Sequence, residues 1–435
     1  MKRYETYKET GIGQIGEIPA CWEITRIGNL FDEISERYDA QCDVDAPLLS
    51  VSEYYGVAKR SEKIAEDSIL VRAETLDGYK KCQKNDIVSN IMLTWKGALG
   101  CSPLDGIVSP AYCVYRPRKN IDSRYFHYLF RTKAYTDLFH VHSTGLIDSR
   151  LRLYTPKFFS LYAILPTKEE QTKIASYLDQ ICDKIDALIL EAKASIEEYK
   201  AWKASIIYEA VTKGLDPNVE MKDSGVEWIG KIPVGWNVQK LKTLVEEPLQ
   251  YGANEAGIEY DESLPRYIRI TDVTANGELK EEGKLSLSKD IAADYILNDG
   301  DILLARSGGT VGKAFYYKAE YGRAAFAGYM IRAKINRKKI DPKLVYFSTL
   351  SANYEDWKAT SMTQATIQNI GANKYNEFYI VVPPVEKQAE LVSYLEEKVV
   401  QIDNLIVEKE SLINDLESYK KSLIFEVVTG KRKVV

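Results

Sequence analysis

One short stretch of the sequence has the composition of a phosphate-binding loop. Ser307-Gly-Gly-Thr-Val-Gly-Lys-Ala314 is rich in glycine, and its lysine follows the last glycine, as in loops that hold nucleotide phosphates. However, its first glycine is one residue out of place. Ala314 also stands where a Ser or Thr hydroxyl would hold magnesium. We therefore do not expect nucleotide binding here.

Two other sets of residues could carry catalytic or metal chemistry. Asp179 with Glu191-Ala-Lys193 has a nuclease-like order, but it falls on a helical pattern where such residues form a solvated face. His140 and His142 could bind a metal, yet no Cys or His cluster accompanies them. The six cysteines contain no Cys-x-x-Cys pair and are best interpreted as reduced core thiols. Methyltransferase runs of the Asn-Pro-Pro-Tyr or Phe-x-Gly-x-Gly type are absent. We predict no catalytic residue and no metal ligand.

Two long helical patterns organise the chain. Residues 168–213 and 386–429 have apolar residues at steps of three and four, with no Pro or Gly among the stripe positions. The first predicted stripe is Ile174, Leu178, Ile181, Ile185, Leu188, Ala192, Ile196, Tyr199, Trp202 and Ile206. The second is Leu391, Leu395, Val399, Ile402, Leu405, Leu412, Leu416, Tyr419 and Leu423. Each helix would bury its stripe most simply against the other, although an ordinary buried helix or a homodimeric coiled coil would also do so.

The two halves of the chain also match residue by residue, which predicts a tandem duplication. Matches 217 positions apart include Gln171 and Gln388, Asp186 and Asp403, and Leu188 and Leu405. Upstream, Gly16, Ile18, Pro19 and Trp22 recur as Gly230, Ile232, Pro233 and Trp236. The ends of the repeat match best, whereas residues 38–82 and 248–298 barely correspond. The duplicated frame is therefore expected to enclose different interiors.

The segments before each long helix predict an α+β fold. They are short, rich in Val, Ile, Tyr and Thr, and bounded by turns, with helical pieces between them. The predicted division is 11–166 for a first globular domain, 167–214 for the central helix, 215–224 for a linker, 225–384 for a second globular domain and 385–430 for the C-terminal helix.

Bulk properties restrict the location more than the function. The 435 residues contain no run of 18 apolar residues, and the N-terminus lacks a signal-peptide core. We expect a cytoplasmic protein that does not enter a membrane. The net charge of −5 does not indicate nucleic-acid binding, but it does not exclude it, because the field near a bound phosphate is local.

This arrangement resembles the specificity subunit of type I restriction-modification enzymes. The resemblance rests on the Ile-Gly-Glu-Ile-Pro-x-x-Trp motif at residues 15–22 with its copy at 229–236, and on Pro-x-x-x-x-Gln at 166–171 and 383–388. It also rests on the strand–Gly-x-x-Gly segments and the twofold plan, and it covers nearly the whole chain.

The resemblance implies a non-catalytic subunit of a complex that methylates DNA adenines and defends against foreign DNA. Each globular domain would be a target-recognition domain that reads one half of a split, asymmetric site in double-stranded DNA. The long helices would pair as an antiparallel coiled coil that sets the spacing and docks two methyltransferase subunits. Restriction and translocase subunits would join this core. S-adenosylmethionine, ATP and magnesium would be bound by those partners and not by this chain.

DNA contacts require cationic side chains for phosphates and amide, hydroxyl or cationic side chains for base edges. We expect them in loops beside the duplicated frame. The candidates are Asn90, Thr94, Trp95, Lys96, Ser143, Thr144, Ser149, Arg150 and Arg152 in the first domain, and Arg306, Ser307, Thr310, Lys313, Thr363, Gln364, Thr366 and Gln368 in the second. Two alternatives stay open: a coiled-coil scaffold that binds only proteins, and a standalone enzyme with an unrecognised site.

Overall fold

The structure, a computed structural model, describes residues 3–39, 46–63, 76, 78–274, 277–361 and 368–434. The chain forms two compact units. The first consists of Met1–Glu191 together with Leu412–Val435, and the second of Ala192–Ser411. Each unit therefore holds one globular part and a segment of both long helices. No helix in the described ranges is long and apolar enough to cross a membrane.

The first unit is built on a four-stranded antiparallel sheet with small helices beside it. Its strands are β1 (Tyr7–Glu9), β2 (Glu17–Pro19), β3 (Glu23–Arg26), β4 (Phe31–Ile34), β5 (Leu49–Ser52), β6 (Gly56–Lys59), β7 (Lys80–Cys82), β8 (Ile87–Asn90), β9 (Leu99–Cys101), β10 (Gly106–Val108), β11 (Tyr112–Pro117) and β12 (Tyr162–Leu165). Its helices are α1 (Arg60–Lys63), α2 (Ser123–Phe130), α3 (Lys133–His142), α4 (Thr155–Ser160) and the first part of α5 (Lys168–Lys213). The main sheet has the order β4-β11-β8-β9, and β1-β2, β3-β12, β5-β6 and β7-β10 form antiparallel pairs.

The second unit repeats that frame and adds a second sheet. Its strands are β13 (Met221–Asp223), β14 (Lys231–Pro233), β15 (Asn237–Lys240), β16 (Gln250–Tyr251), β17 (Ile258–Glu259), β18 (Arg266–Ile268), β19 (Leu285–Ser286), β20 (Ile302–Ala305), β21 (Ala314–Tyr316), β22 (Ala324–Phe326), β23 (Met330–Ala333) and β24 (Tyr379–Val382). Its helices are α6 (Leu241–Leu244), α7 (Lys289–Ala292), α8 (Pro342–Ser348), α9 (Ala352–Ser361), α10 (Ala372–Asn376) and the first part of α11 (Val385–Val428).

Comparison of the sheets confirms the predicted duplication and α+β class. The sheet β16-β23-β20-β21 has the same order as β4-β11-β8-β9, and the pairs β13-β14 and β15-β24 repeat β1-β2 and β3-β12. The additions differ. The second unit has the sheet β17-β19-β18-β22, in which β18 and β22 run parallel, where the first has the hairpin β5-β6 and the pair β7-β10. The copies thus share a frame and differ in what it encloses.

A glutamine in the first turn of each long helix ties that helix to its own globular part. Gln171 accepts a hydrogen bond from the backbone N–H of Asp122 at 2.9 Å and donates one to the carbonyl of Pro166, also at 2.9 Å. Asp122 in turn caps the N-terminus of α2 through its side chain. In the second unit, Gln388 makes the same contacts with Asp341, at 2.8 Å, and with Pro383, at 3.0 Å. The repeated Pro-x-x-x-x-Gln motif therefore fixes the start of each long helix to the globular part before it.

The end of each long helix packs on the repeated tryptophan. Gly214, just after α5, has a positive φ of 77°, and a Cβ there would lie 3.1 Å from the Trp236 ring. Gly430, just after α11, has a φ of 71° and lies against Pro19 and Trp22. Trp22 is fully buried and Trp236 nearly so, as expected for residues that close a core.

The two long helices pair antiparallel within each unit, as the resemblance implies. In the first unit Lys420 Nζ lies 2.6 Å from Asp186, and in the second Lys203 Nζ lies 2.6 Å from Asp403. Residue numbers rise along one helix as those of their partners fall along the other, so the two helices run antiparallel. The buried line on α5, here called the seam, comprises Leu178, Cys182, Ile185, Ile189, Ala192 and Ile196.

The predicted apolar stripes were partly wrong by one residue. Leu188, Trp202, Leu405, Leu412 and Tyr419 are exposed. The residues that turn inward instead are their next neighbours along the chain: Ile189, Lys203, Ile406, Ile413 and Lys420, three buried and two partly buried. Similarly, Cys182 is buried where Ile181 was predicted to be. Several adjacent apolar residues satisfy the same period, and the aliphatic stem of a lysine can fill a seam position while its ammonium reaches a carboxylate.

Candidate nucleic-acid interface

The turn after β8 is held by its own polar side chains. Thr94 Oγ1 lies 2.6 Å from Ser89 Oγ and donates to the carbonyl of Asn90 at 2.7 Å. Asn90 Oδ1 accepts from the backbone N–H of Met92 at 3.2 Å. Thr94 and Asn90 are only 1% and 5% exposed. We therefore expect these two predicted contacts to shape the turn and not to touch DNA.

The same turn places an aromatic and a cationic side chain near the surface. The Trp95 ring lies 4.9 Å from that of His140, and Lys96 Nζ lies 5.1 Å from the Trp95 ring centroid. Trp95 is half-buried, and its indole N–H donates to the Met92 carbonyl at 3.1 Å. Lys96 is exposed and free to meet a phosphate. His140 also lies 3.5 Å from Asp148 Oδ1 through its Nε2 atom.

An exposed loop closes beside that turn. Thr144 and Arg152 exchange two backbone hydrogen bonds, at 2.9 and 3.0 Å, and residues 144–150 between them are all exposed. Ser149 and Arg150 stand at the surface, and Leu146 is 99% exposed. Ser143, just outside the loop, donates its hydroxyl hydrogen bond to the Phe139 carbonyl at 2.7 Å. The loop offers cationic, hydroxyl and apolar groups together, and an apolar side chain can read a thymine methyl group.

A half-buried arginine and a half-buried histidine hold the hairpin β5-β6. The Arg131 guanidinium donates to the carbonyls of Ser52, Glu53, Tyr54, Gly97 and Leu99, at 3.0 to 3.3 Å. Burial lowers its pKa to about 10, so the group stays charged at neutral pH. His127 packs on Gly56 and Gly100, where a Cβ would come within 2.7 and 2.8 Å of the ring. Burial, with Arg131 and Lys420 as weaker causes, lowers the His127 pKa to about 3.

The glycine-rich turn of the second unit is fixed by two tyrosines. Tyr375 donates to the Ala305 carbonyl and Tyr354 to the Gly312 carbonyl, both at 2.7 Å. Between these anchors, Ser307 and Thr310 are half-buried. Lys313, at the end of the turn, is exposed. Two tyrosine hydroxyls therefore anchor both ends of the turn, which carries one exposed lysine.

Arg306 sits at the start of that turn, against an aromatic ring. Its guanidinium carbon lies 4.9 Å from the ring centroid of Tyr251, which is 41% exposed. The backbone N–H of Arg306 donates to Tyr329 at 3.0 Å, and its carbonyl accepts from Ile370 at 2.8 Å. The Tyr251 hydroxyl accepts from the Ala372 N–H at 3.0 Å. Both the arginine backbone and the ring are thus held in place.

The last group of predicted contacts is only partly described. Thr363, Gln364 and Thr366 lie outside the described residues. Gln368 is exposed, and its carbonyl accepts from the Gly308 N–H at 3.4 Å. The next residue, Asn369, forms an antiparallel bridge with Ser307. Gln368 and the glycine-rich turn are therefore neighbours in space, as the predicted site requires.

Sequence reasoning missed the aromatic part of this surface. Tyr251 and Tyr329, which is 65% exposed, flank Arg306. Tyr251 lies on β16 and Tyr329 immediately precedes the neighbouring strand β23, and no local motif singles them out among thirty tyrosines. In the described part of the chain, no group of three or more His, Cys, Asp or Glu side chains is arranged to hold a metal ion.

The family model and the curated relatives that match this chain all describe specificity proteins of type I restriction enzymes. The family model described as "Type I restriction modification DNA specificity domain" matches residues 233–417. The MjaVIII specificity subunit of a type I restriction enzyme from Methanocaldococcus jannaschii is 26% identical, over 98% of this chain and 97% of that protein. The EcoKI specificity subunit of Escherichia coli is 22% identical over 74% of this chain and 68% of its own length.

Two solved structures share the fold. One comes from work on complex assembly and conformational transition of the type I R-M system. It has a TM-score of 0.69 and 14% identity, with 95% of this chain and 99% of that chain covered. The HsdS subunit from Thermoanaerobacter tengcongensis has a TM-score of 0.50 and 15% identity, with 95% and 98% covered. At these identities the likeness supports the two-part architecture alone.

Proposed function

Because this chain belongs to the specificity subunits of type I restriction-modification enzymes, we propose that each of its globular parts, 11–166 and 225–384, reads one half of a split site in double-stranded DNA. The observation that carries the proposal is a duplicated sheet whose corresponding turns present different side chains. Asn90 and Ala305 end the matching inner strands β8 and β20, and the residues that follow are Ile91 and Arg306. The carbonyls of Ile91 and Arg306 accept from the matching residues Leu153 and Ile370. A shared frame with unlike reading groups is what two unequal half-sites require.

As a specificity subunit the chain is non-catalytic, and it acts by placing partner enzymes on DNA. We propose that S-adenosylmethionine, ATP and magnesium are bound by those partners. Two methyltransferase subunits would dock on the coiled coil, and restriction subunits would join them. The coiled coil would also fix the distance between the two half-sites.

The exposed apolar residues beside the seam support docking of two copies. Leu188 and Tyr419 flank the Asp186–Lys420 ion pair of the first unit, and Leu405 and Trp202 are their equivalents beside Asp403–Lys203 in the second. Each of these four residues immediately precedes a buried or half-buried residue of the helix pair, namely Ile189, Lys203, Ile406 or Lys420. They therefore share one heptad position, which lies on one side of an antiparallel pair. Each unit thus offers a leucine with an aromatic residue, a surface suited to a partner helix.

DNA binding is tested on the full chain assembled with its methyltransferase subunits. Selection from a random duplex library should return a split motif with a fixed gap. The affinity for the selected duplex should fall steeply with salt, because each neutralised phosphate releases counterions. A coiled-coil scaffold that binds only proteins would return no motif and show no salt-dependent DNA affinity.

Docking is tested by native mass spectrometry of the same assembly. Replacing Leu188 and Tyr419 with Asp should remove one methyltransferase subunit, and replacing Leu405 and Trp202 should remove one from the other site. The four changes together should remove both. Glu410→Lys, an exposed change at the opposite heptad flank, is the matched control and should leave two subunits bound. Retention of both subunits by the fourfold variant would place the docking surface elsewhere.

A further inference from the structure

Arg306 has a donor group that nothing in its own domain uses. Its Nε atom is buried and has no hydrogen-bond partner, and across the described ranges its guanidinium forms no hydrogen bond or ion pair. The Arg306 side chain as a whole is only half-buried. The Arg131 guanidinium, by contrast, donates to five backbone carbonyls. An unpaired guanidinium at a fixed position loses hydrogen bonds that folding normally provides.

A second polar group in the same place is also unsatisfied. Asn369 Oδ1 is buried without a hydrogen-bond partner, and Asn369 pairs through its backbone with Ser307, the neighbour of Arg306. A buried unpaired donor and a buried unpaired acceptor thus lie on two segments that one backbone bridge joins. A buried donor or acceptor without a hydrogen bond costs stability. Two such groups side by side are therefore typical of a site where a ligand supplies the missing hydrogen bonds.

The contacts that hold Arg306 orient its terminal amino groups. Tyr251 supports one face of the guanidinium at 4.9 Å, and the main chain on either side of the arginine is hydrogen-bonded at 3.0 and 2.8 Å. A planar guanidinium fixed by stacking presents its two terminal amino groups as a fork. The major-groove edge of guanine offers two acceptors, O6 and N7, that match this fork.

We propose that Arg306 is a specificity-determining residue that reads a guanine in the half-site of the second domain, with Tyr251 as its positioning residue. The proposal rests on the proposed function and adds the base and the residue that recognises it. The first domain differs at the matched place. Ile91 stands there in place of Arg306: its carbonyl accepts from Leu153 as that of Arg306 accepts from Ile370, and its side chain has no guanidinium fork.

The experiment measures methylation of a panel of duplexes by the full chain in complex with its methyltransferase subunits. Each position of the wild-type motif is replaced in turn by the other three bases. Arg306→Ala should lower discrimination for guanine by about 5- to 150-fold at one position only, in the half-site of the second domain. The other half-site, read in the same assay, is the internal control.

Two further variants separate base reading from phosphate binding. Arg306→Lys keeps the charge but loses the fork, so it should relax the same position while the salt dependence of binding stays unchanged. Tyr251→Leu should relax that position more weakly, because the guanidinium then loses its support. Arg118→Ala, which removes an exposed arginine paired with Asp32 in the first unit, is the matched control and should leave the motif unchanged.

The outcomes are distinct. If Arg306→Ala weakened methylation of every duplex equally and reduced the salt slope by about one, Arg306 would contact a phosphate and the proposal would be wrong. An unchanged motif in a folded, active complex would also overturn it. If the wild-type complex methylated no split motif, the proposed function itself would fail, and that failure is visible before any variant is made.

Discussion

Lys203 Nζ lies 2.6 Å from Asp403 Oδ1, and this ion pair joins the two long helices within the second unit. The first unit has the same pair in Lys420 and Asp186, also at 2.6 Å, with each residue displaced by 217 positions. A lysine within an apolar seam stabilises less than leucine would, but it penalises any register that leaves its ammonium unpaired. The duplication therefore specifies the antiparallel register twice.

The seam predicts opposite results for two adjacent residues. Ile189 is 9% exposed and Leu188 is 51% exposed. Ile189→Asp should lower the free energy of unfolding by about 3 kcal/mol or more, because it buries a carboxylate without a partner. Leu188→Asp should change it by less than about 1 kcal/mol. Urea denaturation measures both. Equal destabilisation by the two variants would place Leu188 in the seam after all.

Removing the Arg131 guanidinium should destabilise the first domain locally. Arg131→Met keeps most of the side-chain volume but leaves five backbone carbonyls without their donor. We expect about 2 kcal/mol of destabilisation, because part-buried carbonyls then lose their hydrogen bonds to a charged donor. Hydrogen exchange should show faster opening of β5 and β6. Arg118→Met, which removes an exposed pair with Asp32, is the control and should cost less than about 1 kcal/mol.

His127 predicts acid sensitivity of the same domain. Its pKa in the folded chain is about 3, mainly because it is buried, against an ordinary value near 6.5. The unfolded chain therefore binds a proton more readily between these values. Stability is full above pH 6.5 and is lost as the pH falls toward 3, by about 2 kcal/mol between pH 6.5 and 5.

In the wild type, His127 Nδ1 accepts a hydrogen bond from the Cys101 N–H at 3.3 Å. The variant His127→Gln removes the titrating group, and its amide oxygen can accept that hydrogen bond. Its stability should change less between pH 6.5 and 5 than that of the wild type, as measured by urea denaturation across the pH series. An identical slope in both proteins would mean that His127 is not the source of the acid sensitivity.

The modular frame predicts the result of a domain exchange. Replacing residues 30–166 with those of a related specificity subunit leaves Trp22, Gln171 and the long helices in place. Only the half-site read by the first domain should change. Sequencing of methylated DNA detects the new motif, and a change in both half-sites would contradict independent reading by the two domains.

The sequence predicted the frame well because its signals are local and repeated. The central helix begins at Lys168 and ends at Lys213, the bounds its pattern indicates, since Pro166 precedes it and Gly214 follows it. The choice between Leu188 and Ile189 was not predictable from period alone. Apolar residues stand at both positions, and only the partner helix decides which one turns inward.

The candidate site was less predictable because it depends on contacts between distant residues. The place of Thr94 beside the duplicated frame predicts a DNA contact, whereas in the structure its hydroxyl contacts Ser89 and Asn90. Arg306 was proposed for its charge. What sets it apart is the ring of Tyr251 and the absence of any acceptor in the described ranges, and neither is visible along the sequence.

The most direct test of the central claim is the methylation pattern of DNA from cells that express this chain with its methyltransferase partner, read by single-molecule sequencing. The account predicts one split motif with unequal halves and a fixed gap, absent from cells that express the partner alone. A folded, assembled complex that leaves no motif would contradict DNA reading and favour the protein-binding scaffold.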